Sequence, residues 1–244
     1  MGGDDMGDTA GERDEAQPGL HGSVLDELGT LVVSGAYAAG QVLRIEQLEG
    51  RFGVSRTVVR EAIKVLESMG MLTSRRRVGI TVTPRAAWNL FDPRVIRWRL
   101  DSDERASLLR SLGELRRGVE PVAAALAAAH ATPEQCGELT GAVMRMAVHG
   151  RSGDLEAYLA ADIRFHRVLL EASGNEMFGA LTDVVAEVLT GRTHHHLMPA
   201  VPEPAAIRWH AEVAQAVQAG DAAEAERVMR DIVEEATHAM LHRR

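Results

Sequence analysis

Residues 53–70 read GVSRTVVREAIKVLESMG, and the spacing inside that run decides the fold class. Val58, Val59, Ala62, Ile63, Val65 and Leu66 recur at helical intervals, giving an apolar face to a helix that ends near Ser68. Arg56, Arg60 and Lys64 lie one turn apart on its other side. Gly53-Val54-Ser55 is a tight turn whose serine suits an N-cap, and Gly70 stops the helix. Upstream, Ile45, Leu48 and Phe52 form the inward side of a shorter helix. From Ser23, Val24, Leu25, Leu28, Leu31 and Val32 form the stripe of another, which Gly35 and Ala38-Ala39-Gly40 end. Downstream the period changes, and Leu72 to Thr83 reads as two short strands around a basic turn, closed by Pro84. Three helices followed by a β-hairpin is the order of a winged helix-turn-helix.

Charge says what such a unit touches. The chain has a net charge of −8 over 244 residues, yet Gly40 to Arg85 holds nine Lys or Arg against four Glu, a local +5. That contrast excludes a protein that coats nucleic acid indiscriminately and marks one duplex-binding face. The N-terminal end of a recognition helix reaches base edges, where Arg56 and Arg60 can bond guanine O6 and N7 together. Ser55 and Thr57 offer hydroxyls and amides to phosphate. Arg75, Arg76 and Gly79 belong to the wing that meets backbone or minor groove, and Arg44 adds a cation beside it. One winged unit covers too few base pairs for specificity, so a homodimer on a palindromic operator is expected.

The remainder reads as helix. Residues 1–22 are rich in Gly and Asp and are expected to form a flexible acidic tail. Residues 23–84 are the winged unit, and 85–103 is a linker whose Trp88, Phe91, Pro93 and Trp98 are too apolar to stay free. Residues 104–244 form about six helices without a strand, so the chain is mainly α: a winged helix-turn-helix with a small hairpin wing, then an all-α bundle. Pro121 is expected to interrupt one helix, and Thr132-Pro-Glu-Gln135 and Asp221-Ala-Ala-Glu224 to start two others. Aromatics are only 4%, which favours helix over sheet. The single Cys136 excludes an internal disulfide and reads as a buried small hydrophobe. Val122 to Ala129 is too short to span a bilayer, and the acidic start is opposite to a signal peptide, so a cytoplasmic protein is expected.

Within the bundle, Asp162 and His166 share one helix face with Leu159, Ile163, Leu169 and Leu170. His210 lies among Ala206, Ile207, Val213, Ala214 and Val217. Ionisable groups aimed inward need partners. A carboxylate and two imidazoles suit a divalent metal ion such as zinc, and a hydrogen-bonded polar core is the alternative. The same trio admits a second function, a metal-dependent helical enzyme, and a helical adaptor is a third. The basic winged unit speaks against both. His194-His195-His196 are consecutive, face different directions and read as a solvated helix end.

The strings Gly53-Val-Ser-Arg-Thr-Val-Val-Arg-Glu-Ala62, Leu66-Glu-Ser-Met-Gly70 and Gly79-Ile-Thr-Val82 closely resemble the GntR superfamily of bacterial repressors, from about Ser23 to Val82. Val58 stands where a proline is common, and Glu46 where some relatives carry a DNA-facing arginine. From Glu114-Leu-Arg-Arg-Gly-Val-Glu120 onward the chain resembles the effector domain of the FadR-like branch. In metal-binding members an Asp-x-x-x-His pair is joined by two later histidines. Asp162, His166 and His210 match three of these positions, and the fourth falls on Ile232, which cannot ligate. The resemblance assigns Arg116 to the effector pocket. Arg192 is a second candidate, and Arg164 a third that reads better as a surface ion pair. Trp88-Asn-Leu-Phe-Asp-Pro93 resembles the linker of regulators sensing sugar acids such as gluconate or galactonate. The implied function is a repressor released by a small carboxylate effector bound near a metal. A fatty-acyl effector would ask instead for a long apolar tunnel.

Overall fold

The apolar stripes of three short helices meet in one core. In the computed structural model, which describes residues 20–199 and 203–242, these are α1 (Leu20–Val33), α2 (Ile45–Phe52) and α3 (Arg56–Ser68). Leu25, Leu28, Leu48, Val59, Ala62 and Leu66 are buried together, with Ile45, Phe52, Val58 and Val65 packed at the margin. Gly53 turns the chain between α2 and α3 at φ +64°, a left-handed conformation that a side chain disfavours, and its N–H bonds the Glu49 carbonyl. Helix α1 begins at Leu20, so residues 20–22 belong to it and not to the acidic tail. The rest of that expected tail lies outside the described residues.

Against these helices lies a three-stranded antiparallel sheet of β1 (Val42–Leu43), β2 (Leu72–Arg75) and β3 (Gly79–Val82), in the order β1-β3-β2. Leu43 pairs with Ile80, Thr73 with Thr81, and Arg75 with Gly79. The hairpin matches the expected wing. Strand β1 is an addition, since two residues are too few to leave an alternation in the sequence.

The segment after the wing is structured. Asp92 caps α4 (Pro93–Leu100), its carboxylate accepting the Arg94 N–H at 2.9 Å, and Pro93 fills the first helical turn. Val95 and Trp98 enter the first core, while Ile96 and Leu100 enter a second with Leu108, Leu112, Val184 and Val188. The Trp98 indole donates to Asp26 at 3.1 Å. Its ring lies so close over Gly29 that a Cβ there would come within 2.5 Å of it. Leu100 approaches Gly191 in the same way, at 2.6 Å.

The second core is helical throughout its described residues. It comprises α5 (Arg105–His130), α6 (Pro133–Ser152), α7 (Leu155–Ala172), α8 (Glu176–Gly179), α9 (Thr182–His194), α10 (Pro204–Ala219) and α11 (Ala222–His242). Where about six helices are expected, the described residues hold seven, and the shortest, α8, is a single turn. Pro121 does not end α5. It removes one backbone hydrogen bond, but packing of α5 along α11 and α7 holds the helix on both sides of it. Thr132 and Gln135 form the capping box of α6, and Asp221 accepts the Glu224 N–H at 3.0 Å before α11. Cys136 is only half-buried, at the edge of the bundle core. No described helix is long and apolar enough to cross a membrane.

Close packing at Gly29 leaves no room for a methyl group. Gly29→Ala is expected to push Trp98 out of its seat and to cost on the order of 1–3 kcal/mol, read as a lower urea midpoint. An unchanged midpoint would show that the indole is not held there.

Candidate nucleic-acid interface and buried polar centre

Two polar assemblies stand apart from the cores. The first lies where the α2–α3 corner meets the wing. Arg44, Arg56, Arg75, Arg76 and Gly79 are all exposed and line one open groove. Thr57 and Arg60 are exposed further along α3, outside that groove, as is Ser55 at its start. Ser55 has the extended backbone of an N-cap, but its hydroxyl makes no capping hydrogen bond; instead its carbonyl accepts the Val59 N–H at 3.2 Å. The expected side-chain cap is therefore absent. Arg56 has a partner that charge counting missed, for Glu46 on α2 sits 3.1 Å from its Nη1.

The second assembly lies inside the bundle. Asp162 and His166 on α7 and His210 on α10 are each at most 4% exposed. Nε2 of His166 and Nε2 of His210 lie 3.4 and 3.3 Å from Oδ1 of Asp162. One ligand atom from each residue falls within 4.8 Å of the others. Phe165 packs edge-on against both imidazoles. The three residues singled out from the sequence thus converge.

Three residues from two other helices complete the cluster. Arg192 on α9 reaches Asp162 Oδ2 at 3.1 Å. Arg116 on α5 is fully enclosed and makes two hydrogen bonds to Glu120, Nε to Oε1 at 2.5 Å and Nη2 to Oε2 at 3.1 Å. Glu120 is completely buried, and its Oε2 lies 2.8 Å from Nδ1 of His166. Burial alone would raise the Glu120 pKa, but Arg116 and His166 outweigh it and hold the carboxyl at about 2. Burial likewise opposes the charge on Asp162, yet the two histidines keep its carboxyl well below the usual range. His166 is raised, because Glu120 and Asp162 more than offset its burial. Glu120 was missed in the sequence. The signal was available, since Arg116 and Glu120 are four residues apart on the helix face that also carries Leu112, Ala123 and Ala127, the pattern that drew attention to Asp162 and His166.

The donor set can be tested against a metal ion on its unpaired atoms. Nδ1 of His210 lies 2.7 Å from the Ala206 carbonyl, so it carries the N–H, and a neutral ring then presents a lone pair at Nε2. That lone pair faces a carboxylate oxygen, and both atoms are buried without a hydrogen-bond partner. The 3.3 Å contact between them is therefore an unmet need. A proton or a metal ion held between them meets that need, and one carboxylate with two imidazoles is a donor set that divalent metals take. Ile232, which the resemblance sets at the fourth ligand position, packs in the bundle core.

Other candidates resolve differently. Arg164 pairs with Glu138 at the surface. His194 and His195 turn to separate partners, Glu156 at 3.1 Å and Asp101 at 3.2 Å. Helix α9 has two working faces. Arg192 points to Asp162, while Glu187 accepts from Arg97 Nε of α4 at 3.2 Å and Gly191 receives Leu100.

Comparison with known proteins gives the same division. Residues 20–82 match the family described as bacterial regulatory proteins, gntR family, and residues 111–235 match the FCD domain. The galactonate operon transcriptional repressor of Escherichia coli is 32% identical over 162 residues, covering 66% of this chain and 70% of that protein. A putative L-lactate dehydrogenase operon regulatory protein, also from Escherichia coli, is 31% identical over 226 residues, covering 86% and 82%. Among solved structures, Lar of Listeria monocytogenes superposes with a TM-score of 0.59 at 19% identity, covering 93% of this chain and 98% of its own.

The Arg116–Glu120 pair is desolvated on both sides, so removing one partner strands the other. Arg116→Met is expected to cost about 3–5 kcal/mol, and Arg116→Met with Glu120→Leu to recover most of it, measured by urea unfolding. If the double variant is no better than the single one, the two charges do not depend on each other.

Proposed function

The chain belongs to the GntR family of bacterial regulatory proteins and carries an FCD domain, and from that premise we propose that it is a repressor released from its operator by a small hydroxy-carboxylate. It is a DNA-binding transcription regulator, and its relatives are regulators and not enzymes, which sets aside the metal-dependent enzyme. The proposal concerns the operator, the metal and the effector.

Residues 20–84 act as the reading unit, 104–244 as the sensing and dimerising unit, and 85–103 joins them in a cytoplasmic protein. Arg56 and Arg60 read base edges in the major groove, Ser55 and Thr57 hold phosphate, and Arg44 with the wing residues Arg75, Arg76 and Gly79 follows the backbone. Two chains related by a two-fold axis read a near-palindromic site.

The observation that carries the effector reading is the buried meeting of two carboxylates, two imidazoles and two arginines behind the helix that touches α4. Asp162, His166 and His210 hold a divalent ion such as zinc. When bound, that ion supplies a Lewis-acid anchor for carboxylate and hydroxyl oxygens. Arg192 has a buried Nε and Arg116 a buried Nη1 without partners, and these N–H groups suit a carboxylate. The names of the galactonate and L-lactate relatives both point to hydroxy acids, which supports a sugar acid such as galactonate or gluconate. An acid that draws Arg192 from Asp162 shifts α9, and α9 bears on α4 through Glu187 and Gly191. Through Trp98 the change reaches α1 and the placement of the reading unit.

Two measurements test these assignments. On an operator selected from random duplexes, Arg60→Ala is expected to lose about 1–3 kcal/mol of discrimination, while Arg76→Ala weakens all DNA alike and lowers the salt slope by about one unit. Equal loss on specific and random DNA for Arg60→Ala would remove it from base reading. In a thermal-shift assay on chelator-stripped protein, zinc with galactonate or gluconate is expected to stabilise wild type by about 2.7 kcal/mol at 100 times Kd, and His210→Ala not at all. An equal response from both proteins would leave the cluster a hydrogen-bonded polar core.

A further inference from the structure

Glu120 is not among the three converging donors, yet it is one of the most deeply buried charges among the described residues. Arg116 pairs with it through two hydrogen bonds. What remains to be explained is why that pair stands against His166, with Glu120 Oε2 2.8 Å from Nδ1.

We propose that Glu120 is a positioning residue of the metal site, holding the proton of His166 on Nδ1 so that the Nε2 lone pair faces Asp162 and His210. The inference rests on the metal reading above. A neutral imidazole has one N–H, and an Nδ1 lone pair set 2.8 Å from an anionic oxygen is repelled, whereas an Nδ1–H is attracted. The contact is short but off the line of a well-formed hydrogen bond, so charge, more than alignment, fixes the choice. Nε2, on the other side of the ring and 3.4 Å from Asp162 Oδ1, is left as the donor atom.

His210 reaches the same state by a different route, because the acceptor behind it is the uncharged Ala206 carbonyl. The two imidazoles are therefore not equivalent. The one backed by a carboxylate is the more basic ligand, and its support is the one that matters more to affinity. Arg116 makes this arrangement possible, since it balances Glu120 and lets a second carboxylate sit beside the site without adding net charge.

The test compares wild type with Glu120→Gln and with Glu120→Gln combined with Arg116→Gln, a neutral amide pair that strands no buried cation. Zinc affinity is measured by competition with a chromophoric chelator, and the His166 tautomer by imidazole nitrogen NMR of the zinc-free protein at alkaline pH, where the ring is neutral. In wild type the proton is expected on Nδ1. In whichever variant keeps the native circular dichroism, the tautomers mix and zinc affinity falls ~10- to 100-fold. A folded variant with unchanged tautomer and unchanged affinity overturns the proposal, as does a wild-type ring protonated on Nε2. If wild type shows the Nδ1–H tautomer but binds no zinc, the metal reading fails while the control of the ring by Glu120 stands.

Discussion

A carboxylate placed inside an apolar bundle is the constraint from which the rest follows. Asp162 is only 1% exposed, and an isolated buried charge of that kind costs several kcal/mol. Its partners arrive from three directions: His166 from the same helix, His210 from α10 and Arg192 from α9. Glu120 and Arg116 extend the set to α5. One charge thus fixes the mutual register of four helices. Well-packed hydrophobic residues would give comparable stability. The cluster is therefore hard to explain as a device for holding the fold, and that is the physical argument for reading it as a site.

Most of the fold was legible because it is written in short-range periodicity. The stripes of α1, α2 and α3, the wing hairpin and the capping box at Thr132 all follow from spacing within a few residues. What was missed depends on neighbours distant in sequence or on elements too small to show a period. Strand β1 exists only because Leu43 finds Ile80 across the sheet. Pro121 reads locally as a helix breaker, and tertiary packing overrides it. The candidate site divides in the same way. Asp162 and His166 were visible as an i, i+4 pair on an apolar face, whereas the contact of Glu120 with His166 spans two helices and has no local signature. Arg97 and Glu187, ninety residues apart, could not be paired from the sequence at all.

Helix α4 shows how eight residues can serve two cores. A helix turns about 100° per residue, so Val95 and Trp98 face one way while Ile96 and Leu100 face another. Each large side chain meets a glycine, Trp98 at Gly29 and Leu100 at Gly191. Such seats leave little slack, and close-packed interfaces move between discrete arrangements more readily than they deform. The segment that composition marks as too apolar for a linker is accordingly the part best built to carry displacement from one core to the other.

The ion pair between Glu46 and Arg56 has a consequence for what the groove ignores. Both side chains are more than half exposed, so the pair is worth only about 0.2–1 kcal/mol. If Arg56 reads the duplex as proposed, each engagement would first have to displace Glu46. A passing phosphate offers one ionic contact in exchange, whereas a guanine edge offers two directed hydrogen bonds. That cost is the same for both, so it leaves their ratio unchanged and raises what either contact must supply to hold Arg56. On sequence that offers Arg56 no more than a phosphate, displacing Glu46 would consume most of what the contact returns, and the proposed reader would leave sooner.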